Sequence, residues 1–195
     1  SSECTWQSRV EPAMTDKTSQ LTGLSHPDGP SPHFVGGSQG PARLRQWELV
    51  EKVAEGRFAE LYLARPVAKS PGLTASYAIK LLKAEWEGDP RTVAVFRREA
   101  LAGRKVSHPH LVSILAANTK APPYYLVMPY LTGMNLATRL ARGSGTDAWE
   151  SLWIARQVAD ALDALHAAGW THGDVKPGNI FLSPEGHVTL LDLGF

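Results

Sequence analysis

The chain has 195 residues, 43% hydrophobic and 20% charged, enough for one ordinary domain with a buried core plus a tail. Twenty basic against nineteen acidic residues leave a formal net charge of +1, which gives no footprint for nucleic acid or an anionic membrane. The single cysteine, Cys4, excludes an intramolecular disulfide and a cysteine-cluster metal site, and no run of about 18 apolar residues exists to span a bilayer.

Residues 1–41 are about half Ser, Thr, Pro and Gly, as in Leu24-Ser25-His26-Pro27-Asp28-Gly29-Pro30, and read as a disordered tail. They lack an apolar signal core, so a cytoplasmic location is expected; Met14 is a candidate natural start. Trp47–Val53 and Ala59–Arg65 read as strands around a turn containing Gly56, and Ser76–Leu82 as a third. Asp89-Pro90 opens a helix, an acceptor before proline at the first helical position. That helix carries Val93, Phe96 and Ala100 on one face and stops before His108-Pro109. Leu111–Ala116 and Tyr124–Met128 read as two further strands, completing a unit of five strands and one helix.

Beyond Gly133 the pattern turns helical. Asn135–Ala141 predicts a short helix, and Asp147 with Glu150 three residues on predicts the start of a long one. Leu152, Ala155, Val158, Leu162 and Leu165 recur at helical spacing and predict its core face. Ile180–Leu182 and His187–Leu191 flank Ser183-Pro184-Glu185-Gly186 and read as a hairpin.

Three clusters have ordinary readings when taken singly. Val53-Ala54-Glu55-Gly56-Arg57-Phe58-Ala59-Glu60-Leu61 reads as a hairpin with one glycine, Lys80 as a strand-end surface lysine, and Glu99 as part of a solvated helix face. The fourth is more specific: His172-Gly173-Asp174-Val175-Lys176-Pro177-Gly178-Asn179, then Leu191-Asp192-Leu193-Gly194. Two carboxylates, an amide and an ammonium on short loops held by rigid elements suit Mg²⁺-assisted phosphoryl transfer. Asn and Asp oxygens hold a hard cation, and a second Asp accepts or orients a hydroxyl proton.

In order and spacing, residues 46–195 resemble a eukaryotic-type protein serine/threonine kinase of the kind common in bacteria. The resemblance implies an α+β, two-lobed protein-kinase-like fold: a five-stranded small lobe with one helix, then the beginning of a mainly helical large lobe. Residues 46–131 would form the small lobe and hinge, and 132–195 the first part of the large lobe, with its catalytic loop and metal-binding motif. ATP and Mg²⁺ are the implied cofactors, and a protein with a Ser/Thr acceptor the implied partner. The resemblance makes Val53, Ala54, Gly56, Phe58 and Leu61 the loop over the nucleotide. Lys80 would hold phosphates and pair with Glu99, Met128 would be the gatekeeper, and Pro129-Tyr130-Leu131 the adenine-binding hinge. Ala78 and Phe181 would sandwich the ring, Asp174 would be the base with Lys176 beside it, and Asn179 and Asp192 the Mg²⁺ ligands.

The chain departs from the pattern in several places. Ala54 and Ala59 replace the first and third loop glycines. His172-Gly173-Asp174 lacks the arginine that pairs with a phosphorylated activation loop, so such phosphorylation is not expected to be the main switch. Asp192-Leu193-Gly194 exchanges one apolar residue for the usual phenylalanine. Sequence ending at Phe195 stops short of an activation segment and the remaining large-lobe helices, so a kinase fragment, inactive alone, is expected. The parent protein could continue into a membrane anchor. Two alternatives stay open. His172-Gly173-Asp174 with Asn179 five residues on is also the habit of small-molecule kinases resembling aminoglycoside or choline phosphotransferases. The degraded glycine loop and missing arginine also suit a pseudokinase that binds nucleotide without transferring phosphate.

Overall fold

The computed structural model describes residues 42–67, 75–143 and 145–193; the 1–41 tail, Met14, Gly194 and Phe195 lie outside them. Six strands form one sheet: β1 (Ala42–Leu44), β2 (Trp47–Glu55), β3 (Ala59–Pro66), β4 (Tyr77–Leu82), β5 (Ala116–Asn118) and β6 (Tyr125–Pro129). Their order is β1-β2-β3-β4-β6-β5, with every neighbouring pair antiparallel.

Strand periodicity divides this sheet between two cores. Tyr62, Ala64, Ile79, Leu81, Tyr125 and Val127 pack on one face with Trp47 and Leu49. Ala78, Leu82, Leu126 and Met128 pack on the other, against Val93, Phe96 and Ala100 of helix α1 (Pro90–Lys105). Helix α1 starts where Asp89 accepts hydrogen bonds from the Thr92 and Arg91 N–H groups, at 3.0 and 3.4 Å. Each such buried aliphatic or aromatic side chain contributes about 1.5–3 kcal/mol relative to exposure.

A second sheet has the order β7-β8-β9: β7 (Met134–Asn135), β8 (Ile180–Leu182) and β9 (Val188–Leu190), again antiparallel. Helix α2 (Leu136–Ala141) follows β7, its first turn capped by Asn135, which accepts from the Thr138 N–H at 2.7 Å. Helix α3 (Ala148–Ala167) is capped by Asp147, which accepts from the Glu150 N–H at 2.7 Å. Glu150 does not complete a reciprocal capping box. Its carboxylate pairs with Arg139 of α2 at 2.6 Å and ties the two helices together.

Three expectations are corrected. The strand predicted over Leu111–Ala116 is an irregular run with one bridge, Leu111 to Leu190; regular pairing begins only at Ala116. Leu111, Val112 and Ile114 are all buried, so this apolar run is core without a ladder of its own. The sheet also gains β1, because Ala42–Leu44 pairs back on Leu49–Trp47. On α3 the buried face is Ile154, Gln157, Val158, Ala161 and Leu165, whereas Leu152 is 63% exposed and Ala155 is exposed. Gln157 takes a core position because it closes the β8–β9 hairpin. Its amide donates to Gly186 O at 3.1 Å, and its oxygen accepts from the Val188 N–H at 3.0 Å.

Candidate functional site

The site begins with the alternation of β4. Ala78, Lys80 and Leu82 share one face, so the register that buries Ala78 and Leu82 also aims Lys80 inward. Helix periodicity brings Glu99 to meet it, one turn beyond Phe96 on the buried face of α1. Both Glu99 oxygens accept from Lys80 Nζ, at 2.9 and 2.8 Å, and Asp192 Oδ1 accepts from the same ammonium at 2.6 Å. Glu99 is therefore buried and paired, not part of a solvated face.

One cation shared by two carboxylates sets the local electrostatics. Burial by itself would lower the Lys80 pKa, but Glu99 and then Asp192 outweigh it and hold the ammonium above the ordinary lysine range. Burial pushes the Glu99 carboxyl up, with Lys80 pulling the other way. Glu99 carries the desolvation cost because it is only 3% exposed, whereas the Asp192 side chain is 39% exposed.

Asp174 and Asn179 lie between α3 and β8, in a loop that closes with a tight turn at Pro177–Asn179. Asn179 is buried, and its amide donates to Asp174 O at 2.9 Å and Asp174 Oδ2 at 3.0 Å. Lys176 pairs with the same Oδ2, and its hydrogen bond holds Asp174 below the ordinary aspartate value. His172, 2% exposed, joins this loop to the strand that leads into Asp192. Its Nδ1 accepts from the Asp174 N–H at 3.2 Å, so its Nε2 carries the proton donated to Leu191 O at 2.8 Å. The Leu191 N–H donates to Asn179 O at 2.8 Å. With both its backbone groups fixed, Leu191 delivers Asp192 in the left-handed region, φ 58°, a strained state for a non-glycine residue.

A cleft of about 470 Å³ gathers these residues. Ala54, Gly56, Phe58 and Leu61 line it from the β2–β3 side, Met128 from β6, and Lys80, Glu99, Asp174, Lys176 and Asp192 carry its charge. Asn179 lies behind Asp174, and Val53, Ala78, Tyr130, Leu131 and Phe181 are outside the lining. Ala78 is buried beneath the wall opposite Met128, and Tyr130 is 40% exposed with its N–H committed to Ser76 O at 3.0 Å. Sequence reasoning missed Leu82, Thr92, Val95, Phe96, Val112 and Leu191 as lining residues. Leu191 could have been found from its place before Asp192; Val112 was hidden in a supposed strand. Among the described residues no three His, Cys, Asp or Glu side chains cluster to hold a metal, and no helix is long and apolar enough to cross a membrane.

Residues 47–195 match the family model described as the protein kinase domain, and the chain belongs to that family. It is 30% identical over 149 residues to the serine/threonine-protein kinase PrkC of Bacillus subtilis, covering 76% of this chain and 22% of that protein. It is 35% identical over 158 residues to the serine/threonine-protein kinase PknK of Mycobacterium tuberculosis, covering 79% of this chain and 14% of that protein. The chain thus spans less than a quarter of the length of these curated relatives. The crystal structure of the Mycobacterium tuberculosis PknI kinase domain superposes with a TM-score of 0.64 at 23% identity, covering 82% of this chain and 63% of that one. At that identity the likeness speaks to the fold.

Proposed function

We propose that the protein carrying these residues is a serine/threonine kinase that transfers the γ-phosphoryl group of ATP to protein hydroxyls in the cytoplasm. Residues 46–131 would serve as its small lobe and hinge, and 132–195 as the start of its large lobe. The observation that carries the reading is the bracing of Lys80 between Glu99 and Asp192, on the cleft that Asp174 and Lys176 also line.

The base of ATP would enter past Leu61, Val112 and Met128, which line the cleft's apolar part. Pro129 has no N–H and Tyr130 commits its own to Ser76, so Leu131 supplies the hinge donor. Lys80 would meet the phosphates, kept in place by Glu99. The donor set suits a hard cation. Asp192 gives one oxygen to Lys80, and Asn179 gives its amide N–H to Asp174, so a carboxylate oxygen and an amide oxygen remain. These two oxygens, from Asp192 and Asn179, would hold Mg²⁺, a cation that needs few protein oxygens. When bound, it neutralises charge on the phosphate oxygens.

Asp174, kept ionised by Lys176, orients the acceptor hydroxyl and takes its proton. The hydroxyl oxygen bonds to the γ-phosphorus as the bond to the bridging oxygen breaks, and ADP leaves. Lys176 offsets charge on the moving group.

The test is γ-labelled ATP with Mg²⁺, the full-length protein and casein. Label on serine or threonine is expected. Mg²⁺-dependent ATP binding without transfer would make the protein a pseudokinase, and transfer only to an aminoglycoside or choline would make it a small-molecule kinase.

A further inference from the structure

We infer that the side chain of Arg57, at the tip of the β2–β3 loop, is a phosphate-binding group held ready on an aromatic shelf. The inference rests on the nucleotide reading above and goes beyond it, because that reading gives the Arg57 side chain no role. The loop has a single glycine, Gly56, with Ala54 and Ala59 at the other two positions, so fewer of its N–H groups can approach an anion unhindered. A side chain can supply what the backbone cradle lacks.

Three cations line the cleft, Arg57, Lys80 and Lys176, against four carboxylates, Glu60, Glu99, Asp174 and Asp192. Lys80 is shared by Glu99 and Asp192, and Lys176 is paired with Asp174. Arg57 is the one lining cation without a carboxylate partner among the described residues. Its guanidinium lies 4.9 Å from the ring centroid of Phe58 and 5.8 Å from that of Trp86. Phe58 and Trp86 themselves meet edge to face, with centroids 4.9 Å apart.

The shelf is tied to the β4–α1 connection. Lys83 donates its N–H to Phe58 O at 2.9 Å, and its ammonium pairs with Glu55 at 2.7 Å. Arg57 is an exposed residue, and a stacked guanidinium keeps its N–H donors along its edge. That edge suits a polyphosphate, whose oxygens accept two parallel N–H bonds. Arg57 therefore discriminates nucleoside di- and triphosphates from the bare nucleoside.

The test measures affinity of the full-length protein for Mg²⁺-ATP, Mg²⁺-ADP and adenosine by titration calorimetry. Arg57 is exposed, so its substitution should fold normally. Arg57→Ala should weaken ATP and ADP about tenfold, the low end for a charge-assisted hydrogen bond, and leave adenosine unchanged. Arg57→Glu should weaken ATP further and again spare adenosine. Unchanged ATP affinity in both variants overturns the assignment, as does an equal loss for adenosine, which would make Arg57 merely structural. If the unsubstituted protein binds none of the three ligands, the nucleotide reading fails and takes this assignment with it.

Discussion

Gly133 is the position where one added methyl group should do most harm. It lies between Tyr130 and β7, at φ 134°, a conformation that side-chain-bearing residues rarely adopt. A Cβ built there would sit 2.0 Å from Leu182 O, 3.0 Å from Leu182 C and 3.1 Å from Ser183 Cα. All three are backbone atoms, so no rotamer change relieves the contact; the end of β8 must move away from β7. The backbone strain costs about 1–3 kcal/mol. Loosening the two-residue pairing Met134–Leu182 and Asn135–Phe181 adds about 0.5–1.5 kcal/mol per hydrogen bond lost. Gly133→Ala should therefore destabilise by about 3–4 kcal/mol. With a urea slope of roughly 2 kcal/mol/M, the midpoint falls by about 1.5–2 M. Gly143→Ala is the internal control: φ is 73° there, but nothing lies within 4 Å of the added carbon. It isolates the conformational cost of a side-chain-bearing residue at positive φ, about 1–2 kcal/mol. Urea unfolding of both variants in the same background, followed by tryptophan fluorescence, makes the comparison. A Gly133→Ala midpoint no lower than that of Gly143→Ala would refute the steric argument.

Asp174→Asn should leave the KM for ATP nearly unchanged and lower kcat by about 10²–10⁴, the range for a general acid–base group; a matching loss of ATP affinity would contradict the role. Asp192→Ala should abolish the Mg²⁺ dependence of nucleotide binding in the full-length protein, and undiminished turnover would sink the ligand assignment. Asp89 is held below the ordinary aspartate value first by the Thr92 side-chain hydrogen bond and next by the Thr92 N–H. Its contribution is therefore present above the unfolded aspartate pKa and is lost as pH falls through the lowered folded value. Asp89→Asn keeps the cap but not the charge, so the stability gap between the two proteins should shrink on acidification; a gap constant from pH 7 to pH 2 would be the contrary result.

Much of this site was legible because its chemistry is local in sequence. Asp174, Lys176 and Asn179 fall within six residues, and their mutual hydrogen bonds need little more than a turn at Pro177. Lys80 and Glu99 were ambiguous one at a time, since nothing in a lysine at a strand end or a glutamate beside two arginines shows burial. Pairing across β4 and α1 is what distinguishes them. The face of α3 was misjudged because Trp149, Leu152 and Trp153 are large and apolar yet 82%, 63% and 52% exposed. Hydrophobicity alone cannot rank Leu152 below Gln157, whose burial follows from two hydrogen bonds to a hairpin almost thirty residues away. Strand β1 and the lost ladder at Leu111–Ala116 were illegible for a related reason: pairing partners set strand boundaries, and three-residue strands carry no periodicity of their own.

The anchoring of Leu191 bears on how the chain tolerates changes of length. Its N–H is held by Asn179 and its carbonyl by His172, so Asp192 is positioned from the loop before the hairpin rather than from the hairpin tip. Residues inserted at Ser183–Gly186 would lengthen an exposed turn and leave both anchors in register. A single residue inserted between Asn179 and Ile180 would reverse the faces of β8 and pull Asn179 O away from Leu191. The two ends of β8 thus differ sharply in the insertions they can accept, and tolerance begins only after its last residue, Leu182.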